Sequence, residues 1–425
     1  MTIATLTGDN GILTKAAKAK QETEKATEDE IRRLTMLEAV ANTENKTYTD
    51  VNGETAIIPA GFEVSQIEGE NIVKNGLVVI DGKGNEFVWI PCSGTSGITY
   101  EKTDDNGTGN HGLASYWKES YSDKQWSYTT TTAGETITDW SDNGGNYASV
   151  TKYGGFYIGR YEAGVPRNAD FYADSEGATY EREGKKNAET VKTMSPIVQK
   201  DTQSWNYISQ EKAKKVSENM YKDSTSVTSS LVDSYAWDTV VKWMASDSKY
   251  SGIGMDSSNY GNYYNNNKIA TNTLYALHRY AGRNATGVAN NKNDYWTIAT
   301  KYKKGNITSG YVSLSASIRD QYEFALNSYD DTNYNYYIYK ELATGAADET
   351  KVKNIYDMAG NMWEWTTETG NHTTANGSSG TTFAVLRGGG FNCHGSSYPV
   401  SRRDGDHSTT GYNFNFGFRP VLYIK

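Results

Sequence analysis

The sequence predicts an α+β fold with few helices, irregular β-sheets and long loops, preceded by one N-terminal helix. Its 425 residues include 41 Gly and 33 Tyr, and only 36% are hydrophobic, which favours polar, loop-rich surfaces. Short β-rich runs bounded by Gly or Asn outnumber segments with helical periodicity. No apolar run is long enough to span a membrane, and the mean hydropathy is -0.71.

The charge of the chain argues against a nucleic-acid partner. The formal net charge is -9 and the pI is about 5.3, and no Lys/Arg cluster is long enough to follow a phosphate backbone. The two cysteines, Cys92 and Cys393, lie far apart and show no zinc-type spacing. A disulfide between them is an alternative that the sequence does not require.

Residues 11–40 predict one exposed helix, because the segment is rich in Ala, Lys and Glu and its apolar residues follow a helical spacing. These apolar residues are Ile31, Leu34, Leu37 and Ala41. Residues 1–21, MTIATLTGDNGILTKAAKAKQ, resemble the region that follows the hydrophobic segment of type IV pilin-like proteins in Gram-positive bacteria. The resemblance implies that the hydrophobic anchor of such proteins has been removed and that Met1 replaces it. A charged helix packed on its own domain is the alternative.

We assign residues 1–45 to this pilin-like helix and residues 46–75 to a linker with the first strands. A β-hairpin is predicted next, because residues 77–80 and 86–90 are β-rich and flank a Gly-containing turn. Residues 93–153 are dominated by Ser, Thr, Gly, Asn and Tyr, which predicts a long insertion of loops and short strands. The sequence YGGFYIGRYEAGV that follows returns to strand character.

Two helices are predicted in the middle of the chain. SQEKAKKVSENMY has Ser209 as its N-cap and places Val216 and Met220 four residues apart. SSLVDSYAWDTVVKWMA carries two neighbouring apolar stripes, which predicts the more deeply buried helix. Residues 248–339 contain Asn- and Tyr-rich segments whose composition favours exposed β-ribbons and loops. The chain closes with three compact motifs, NIYDMAGNMWEWT, VLRGGGF and FGFRPVLYIK.

These three motifs, in this order, resemble the sulfatase-modifying-factor domain of formylglycine-generating enzymes, which has an elaborated C-type-lectin-like fold. The strand motif that ends near Glu162, together with MSPIVQKDTQSWNYISQEKAKKV and SYAWDTVVKWMA, is similar to earlier parts of that domain. The matching motifs extend over residues 76–425. The resemblance therefore implies one C-type-lectin-like domain over residues 76–425, with the insertion at 93–153.

The DMAGNMWEW motif predicts a tight turn at Gly360 and Asn361, followed by a strand with Trp363 and Trp365 on one face and Glu364 on the other. We interpret the two indoles as core residues. The resemblance implies that Asn361 and Glu364 contribute to a structural calcium site, since Ca²⁺ prefers oxygen ligands. The alternative is that Glu364 caps backbone amides or pairs with an arginine.

Formylglycine-generating enzymes bind Cu(I) through two closely spaced cysteines between their RGG and GFR motifs, because soft thiolates suit that ion. Cys393 stands at the first of these positions, but Tyr398 occupies the second and no further cysteine follows. Other potential metal ligands fit no helix or strand arrangement, namely His372, His394, His407, Asp404 and Asp406. The sequence therefore predicts a non-catalytic protein that requires no cofactor, with a copper-dependent formylglycine-generating-type oxidase as the alternative.

Residues 369–424 contain no Trp, Gln, Lys, Met or Glu, and the next longest such stretch, 269–291, is less than half as long. These residue types cannot be produced by altering the adenines of an AAC or AAT codon for Asn, which is how diversity-generating retroelements act. The variable proteins of those elements resemble this chain, since their C-type-lectin fold ends in a variable region between RGG-like and GFRP-like motifs. The resemblance implies a variable region at residues 387–420, hereafter the variable segment. An inert Ser-, Gly- and Asn-rich loop is the alternative.

The two ends of the variable segment predict a rigid terminal hairpin, fixed by Arg387 and Arg419 as buried ion-pair residues. The side chains between the ends include the types that are common in recognition loops. The predicted exposed contact residues are Asn392, Cys393, His394, Ser397, Tyr398, Asp406, His407, Tyr412, Asn413 and Asn415. Three further residues are interpreted either as contacts or as a supporting charge network, namely Arg402, Arg403 and Asp404.

These observations predict a surface-displayed ligand-binding protein whose diversified C-terminal segment forms the binding site. The ligand is expected to be a protein or a glycan that differs between variants. Attachment to a membrane or pilus is expected through the missing N-terminal segment, at the cell surface of a Gram-positive-type bacterium, with the bacterial genome or a prophage as the source of the gene. A structural pilus-like surface protein is a further alternative.

Overall fold

A computed structural model describes most of the chain outside the predicted insertion. The described residues are 12–92, 146–166, 192–266, 268–269, 273–284, 296–298, 303–305, 310–313, 334–371 and 382–425. Of the predicted insertion, only residues 146–153 belong to this set, and they form a helix instead of the expected loops and short strands. Packing explains this difference, because Val150 is buried in the main core and Ser149 Oγ donates to Ile424 O at 2.6 Å.

The described part of the chain contains few helices, as the sequence predicts. They are α1 (Ile12–Ala41), α2 (Val73–Gly76), α3 (Asn146–Tyr153), α4 (Gln210–Asn219) and α5 (Ser234–Ala245), with 3-10 turns at Ser248–Tyr250 and Asp348–Thr350. Ser209 occupies the N-cap position of α4, although its side chain makes no capping hydrogen bond. Asp233 caps α5, since its Oδ1 accepts from Ala236 N at 2.7 Å. Helix α5 is buried along most of its length, which confirms the prediction for this segment.

Most of the strands are short, and most belong to three sheets. They are β1 (Lys46–Thr49), β2 (Thr55–Ile58), β3 (Phe62–Val64), β4 (Val78–Asp81), β5 (Glu86–Pro91), β6 (Gly155–Gly159), β7 (Val227–Leu231), β8 (Thr273–Asn284), β9 (Trp296–Ile298), β10 (Lys303–Gly305), β11 (Gly310–Ser313), β12 (Tyr334–Leu342), β13 (Lys351–Val352), β14 (Ile355–Tyr356), β15 (Trp363–Asn371), β16 (Thr382–Arg387), β17 (Arg403–Ser408), β18 (Phe416–Phe418) and β19 (Pro420–Ile424). The β4–β5 pair confirms the predicted hairpin.

The central sheet has six strands in the order β3-β4-β5-β6-β19-β7. The C-terminal strand β19 lies between β6 and β7 and pairs antiparallel with both. Strands β5 and β6, which flank the insertion, therefore belong to the same sheet as the C-terminal strand β19. A second sheet has the order β17-β16-β15-β18, and a third has the order β10-β8-β12-β11 with β9 added to β8. The third sheet confirms the β-ribbons predicted within residues 248–339.

The central sheet separates two apolar clusters, because neighbouring residues of a strand point to opposite faces. Val78 and Ile80 belong to the cluster that includes α5, whereas Val79 belongs to the other. The first cluster also contains Trp237 and Trp365, both fully buried. Among the described residues, no helix is both long and apolar enough to cross a membrane.

Helix α1 is exposed from residue 14 to residue 30, and its buried residues lie near its C-terminal end. Its contact face there contains Thr35 and Ala39, both buried. Leu34 and Leu37, two of the residues whose spacing predicted the helix, are 49% and 63% exposed. The periodicity thus identified the helix, but this helix packs through a neighbouring face.

A network of four buried or half-buried charges attaches α1 to the central sheet. The guanidinium of Arg32 lies 3.1 Å from Glu70 Oε1 and 2.7 Å from Glu86 Oε2. Arg160 contacts the same two carboxylates at 2.7 Å and 2.8 Å. Burial alone would raise the pKa of Glu70, but Arg160 and Arg32 lower it to about 2. The helix is therefore held by charges that stay paired at neutral pH.

We expect Arg32→Ala to loosen the end of α1, because the substitution leaves Glu70 and Glu86 with Arg160 as their shared partner. Amide hydrogen exchange, measured by mass spectrometry over residues 31–41, should become at least about tenfold faster. Arg33→Ala is the matched control, because Arg33 is exposed and pairs only with exposed Glu30, at 3.1 Å. Equal exchange rates in the two variants would contradict the prediction.

Candidate functional site

The DMAGNMWEW motif forms a buried turn that joins distant parts of the chain. Gly360 and Asn361 have φ angles of 73° and 58°, which confirms the predicted turn. Asn361 Oδ1 accepts hydrogen bonds from Asn262 Nδ2 and Leu342 N, both at 2.9 Å. Its Nδ2 donates to Glu162 Oε2 at 2.7 Å. One asparagine side chain thus connects three segments that are far apart in sequence.

Beside this turn, three buried carboxyl groups interact electrostatically with the buried guanidinium of Arg419. Arg419 Nη2 lies 2.6 Å from Glu364 Oε1, and both side chains are fully buried. Glu162 is also fully buried, and Asp357 Oδ2 accepts from Gly345 N at 2.8 Å. The predicted role of Arg419 as a buried ion-pair residue is confirmed.

Burial raises the pKa of all three carboxyl groups. The pKa of Glu162 is raised well above its ordinary value, by burial and then by the charges of Asp357 and Glu364. Burial raises the pKa of Glu364 to about 7, although the neighbouring Arg419 opposes the shift. Burial also raises the pKa of Asp357. The cluster therefore retains protons at pH values at which exposed carboxyl groups are ionised.

The oxygens of Asn361 and Glu364, the two residues predicted to hold calcium, face donors of the protein in this structure. Asn361 Oδ1 accepts from Asn262 and Leu342, and both Glu364 oxygens accept from Arg419. The structure has the alternative arrangement, in which Glu364 pairs with an arginine. Within the described ranges, no group of three or more His, Cys, Asp or Glu residues is arranged to hold a metal ion.

Arg387 fixes the start of the variable segment. Its Nη2 lies 2.5 Å from Asp238 Oδ1 in α5, and both side chains are fully buried. Its Nε and Nη2 also donate to Arg402 O and Ser401 O, at 3.1 Å and 3.2 Å. The predicted ion-pair role is confirmed. This one side chain connects the end of β16 to α5 and to the far end of the following loop.

The glycines after Arg387 allow a close approach of the backbone. Gly388 and Gly389 have φ angles of 90° and 75°, and a Cβ on Gly389 would lie 2.4 Å from Tyr398 O. Tyr263 donates its hydroxyl hydrogen to Gly388 O at 2.7 Å. Residues 387–390 and 416–422 are all buried, and we call these two stretches the frame.

The two parts of the frame lie on opposite sides of strand β15. Strand β16 pairs with β15 antiparallel, and β18 pairs with β15 parallel. The expected terminal hairpin is therefore wrong, since the two ends of the segment pair with a third strand and not with each other. Strand β17, within the segment, pairs with β16 and was not indicated by the aperiodic sequence.

Most of the chain matches a known family. Residues 128–424 match the family model of the sulfatase-modifying factor enzyme 1-like domain. The chain belongs to this family. Its fold is C-type-lectin-like, as the closing motifs predict. The sequences of curated proteins include no significant match.

Two solved structures are similar to this family member. One is described as the crystal structure of CarF, with 11% identity, a TM-score of 0.21, and coverage of 64% of this chain and 87% of that chain. The other is Treponema denticola variable protein 1, with 13% identity, a TM-score of 0.22, and coverage of 89% of this chain and 99% of that chain.

The sulfatase-modifying factor fold places Cys393 in the core. The side chain is 8% exposed, and burial raises the pKa of its thiol to about 11. The ring of Tyr398 lies edge-on to Trp363 with 5.7 Å between centroids, and the Arg402 guanidinium lies 5.3 Å from the Tyr398 centroid. A thiol with a raised pKa is a poor nucleophile and metal ligand at neutral pH. The position of the expected second thiol is filled by an aromatic ring.

The predicted contact residues fall into four groups. The exposed positions are Ser397, Tyr412 and Asn413, and the half-buried positions are Asn392, His394, Tyr398 and His407. Two positions are buried, Cys393 and Asn415. The side chain of Asp406 lies outside the described residues. The predicted exposure of Cys393 and Asn415 is therefore wrong. Cys393 packs into the core. Asn415 immediately precedes β18, and its backbone O accepts a hydrogen bond from Trp363 N at 2.9 Å.

The predicted histidine and aspartate set is only partly brought together. His407 Nε2 lies 3.7 Å from Asp404 Oδ1, and its ring lies 4.7 Å from that of Phe416. His394 Nδ1 instead lies 2.8 Å from Ser396 Oγ. His372 lies outside the described residues. Buried Arg402 fits the predicted supporting network better than a contact role.

Residues 254–266 support the variable segment, a role that the sequence patterns did not predict. Ser257 N donates to Gly395 O at 3.1 Å, and Ser257 Oγ accepts from Val400 N at 2.9 Å. Asn265 Oδ1 accepts from Gly395 N at 3.0 Å. The Asn- and Tyr-rich composition indicated exposed loops, but Ser257 and Asn262 are fully buried. Composition does not distinguish a solvated loop from a loop whose side chains form hydrogen bonds with the backbone of another loop.

Proposed function

We propose that the protein is a surface-displayed, non-catalytic ligand-binding protein whose binding site is the exposed part of the variable segment. One observation carries the proposal. The ends of the segment are buried and ion-paired, whereas Ser397, Tyr412 and Asn413 lie exposed between them. A rigid support lowers the ordering cost of binding, and Tyr, Ser and Asn are common in recognition loops.

Diversification of the segment is part of the proposal. It is supported by the absence of Trp, Gln, Lys, Met and Glu from residues 369–424, which matches mutagenesis of adenines in Asn codons. The frame keeps its position through backbone pairing and two buried ion pairs, so side chains at exposed positions can change without repacking the core. The ligand is then a protein or a glycan that differs between variants.

The non-catalytic role is supported by the surroundings of Cys393. Its thiol is buried with a raised pKa, and the neighbouring position five residues on is Tyr398. Two thiolates are needed to hold Cu(I) nearly linear. A copper-dependent oxidase would therefore have to use a different ligand set.

Display at the surface of a Gram-positive-type bacterium is also proposed, with α1 as the spacer between the attachment point and the domain. The exposure of residues 14–30 supports this role. The exposed pairs Lys18–Glu22 and Lys20–Glu24, at 3.9 Å and 3.6 Å, stabilise the helix through contacts within the helix itself. The pilin-like identity of residues 1–45 stays a prediction.

Two display libraries of the full chain test the binding site. The first randomises exposed and half-buried positions, namely His394, Ser396, Ser397, Tyr412 and Asn413. The second randomises buried positions of the same segment, namely Phe391, Cys393, Ser401, Phe414 and Asn415. Most clones of the first library should fold and some should bind an immobilised test protein, lysozyme, because surface changes cost within about 0.5 kcal/mol. The second library should lose display, because each buried change costs about 1–3 kcal/mol.

Two outcomes would overturn the proposal. The first is a well-folded first library that yields no binder to any of several test proteins or immobilised polysaccharides. The second is stoichiometric Cu(I) binding by the wild-type chain, together with oxidation of a cysteine-containing peptide, when both are lost on Cys393→Ala. The second result would favour the oxidase.

A further inference from the structure

We infer that Tyr264, which lies outside the variable segment, is a fixed contact residue of the binding surface, and that the ligand of this surface is a protein. The inference rests on the proposed function of the variable segment. It predicts that each variant combines the same tyrosine with a different set of neighbouring side chains.

Tyr264 is joined directly to the variable loop. Its backbone N donates to Cys393 O at 3.2 Å, and its ring lies edge-on to the ring of His394 with 5.6 Å between centroids. Gly395 packs so closely on the same supporting segment that a Cβ would lie 2.4 Å from Ser258 N. The position of Tyr264 relative to the loop is therefore set by backbone contacts, which do not depend on the side chains of the variable segment.

The support beneath Tyr264 is rigid. Its neighbour Tyr263 is fully buried and donates to Gly388 O in the frame. Asn262, also fully buried, donates to Lys340 O at 2.6 Å and to Asn361 Oδ1 at 2.9 Å. A side chain held on such a support loses little conformational freedom on binding, which favours affinity.

Tyr264 is 38% exposed, so part of this amphipathic side chain lies at the surface of the protein. Tyr412 is 47% exposed at the other end of the variable segment. Asn392 Oδ1 accepts from Nδ2 of buried Asn415 at 3.2 Å, which joins the part of the segment beside Tyr264 to the residues that follow Tyr412. A partly exposed tyrosine beside a segment that exposes Ser397, Tyr412 and Asn413 fits a protein partner, since Tyr is enriched among the residues that dominate protein interfaces.

Clones selected from the exposed-position library against lysozyme provide the test. We expect Tyr264→Ala to weaken lysozyme binding by at least about tenfold in most independent clones, whereas Tyr264→Phe should stay within about threefold. Val51→Ala is the control, because Val51 is an 87% exposed apolar residue in the turn between β1 and β2. In the unsubstituted clones, hydroxyl-radical labelling of Tyr264 should fall when lysozyme binds, a readout that needs no variant.

The outcomes separate this inference from the proposed function. Clones that bind lysozyme, keep their affinity with Tyr264→Ala and show no protection of Tyr264 would overturn the inference and leave the proposed function intact. A library that binds immobilised polysaccharides but no test protein would overturn the assignment of a protein ligand. A folded library without any binder would overturn the proposed function and the inference with it.

Discussion

Replacement of Arg419 by methionine is expected to lower the free energy of unfolding by about 3–5 kcal/mol, because it leaves a buried carboxylate without its partner. Arg419 contacts both oxygens of Glu364, and it also donates to Gly159 O and Tyr356 O, each at 3.0 Å. Its loss removes the positive charge that faces the carboxylates of Glu162, Asp357 and Glu364. Urea-induced unfolding followed by circular dichroism measures the change.

Two further variants identify the cause of this loss. Arg33→Met removes an exposed arginine whose partner Glu30 is also exposed, so stability should change by less than about 0.5 kcal/mol. Replacing both Arg419 and Glu364 by methionine should destabilise less than Arg419→Met alone, because the double variant has no Glu364 carboxylate that lacks its arginine. A double variant less stable than the single one would contradict this explanation and indicate that Arg419 acts mainly through its contacts to backbone carbonyls.

Stability is expected to fall as the pH rises through neutrality. The pKa of Glu162 is raised well above its ordinary value and that of Glu364 to about 7, so the folded chain binds more protons than the unfolded chain above the ordinary pKa of a glutamate. The stabilising protonation is complete below that ordinary pKa and is lost as the pH passes the folded values. Each such group contributes a slope of up to about 1.4 kcal/mol per pH unit.

Asp357→Asn tests this pH dependence, because Asp357 is among the charges that raise the pKa of both Glu162 and Glu364. Asparagine keeps the size of the side chain and tolerates the φ of 54° at this position. The free energy of unfolding, measured between about pH 5 and about pH 8, should depend less on pH in this variant than in the wild type. Asp348→Asn removes an exposed carboxylate and should leave the dependence of the unfolding free energy on pH unchanged over the same range. Equal slopes in Asp357→Asn and the wild type would contradict the prediction.

Local sequence patterns predicted the elements whose cause is local. Helix α1, the β4–β5 hairpin and helix α5 follow from periodicity and turn residues within each segment. The sequence predicted that Arg387 and Arg419 form buried ion pairs, because each arginine lies among glycine or aromatic neighbours. Pairing with an arginine was an alternative for Glu364, but the sequence did not indicate that this arginine is Arg419 or that Arg387 pairs with Asp238.

Long-range packing decided the features that the sequence did not predict. Cys393 and Asn415 have residue types that suit an exposed loop, but they are buried because the loop folds onto the core and β18 begins beside it. Strand β17 is stabilised by pairing with β16, because its own sequence does not alternate between apolar and polar residues. The carboxylate cluster combines Glu162 with Asp357, whose separation in the chain leaves no local pattern.

The attachment of both ends of the variable segment to β15 has a consequence for its length. Because β16 and β18 are paired to the same strand, the separation of the two ends is set by the sheet, whatever lies between them. Closing a longer loop across fixed ends costs only about 0.6 kcal/mol for each doubling of its length. The fold should therefore accept insertions and deletions at the exposed positions of this segment, so that variants can differ in the shape of their surface as well as in its side chains.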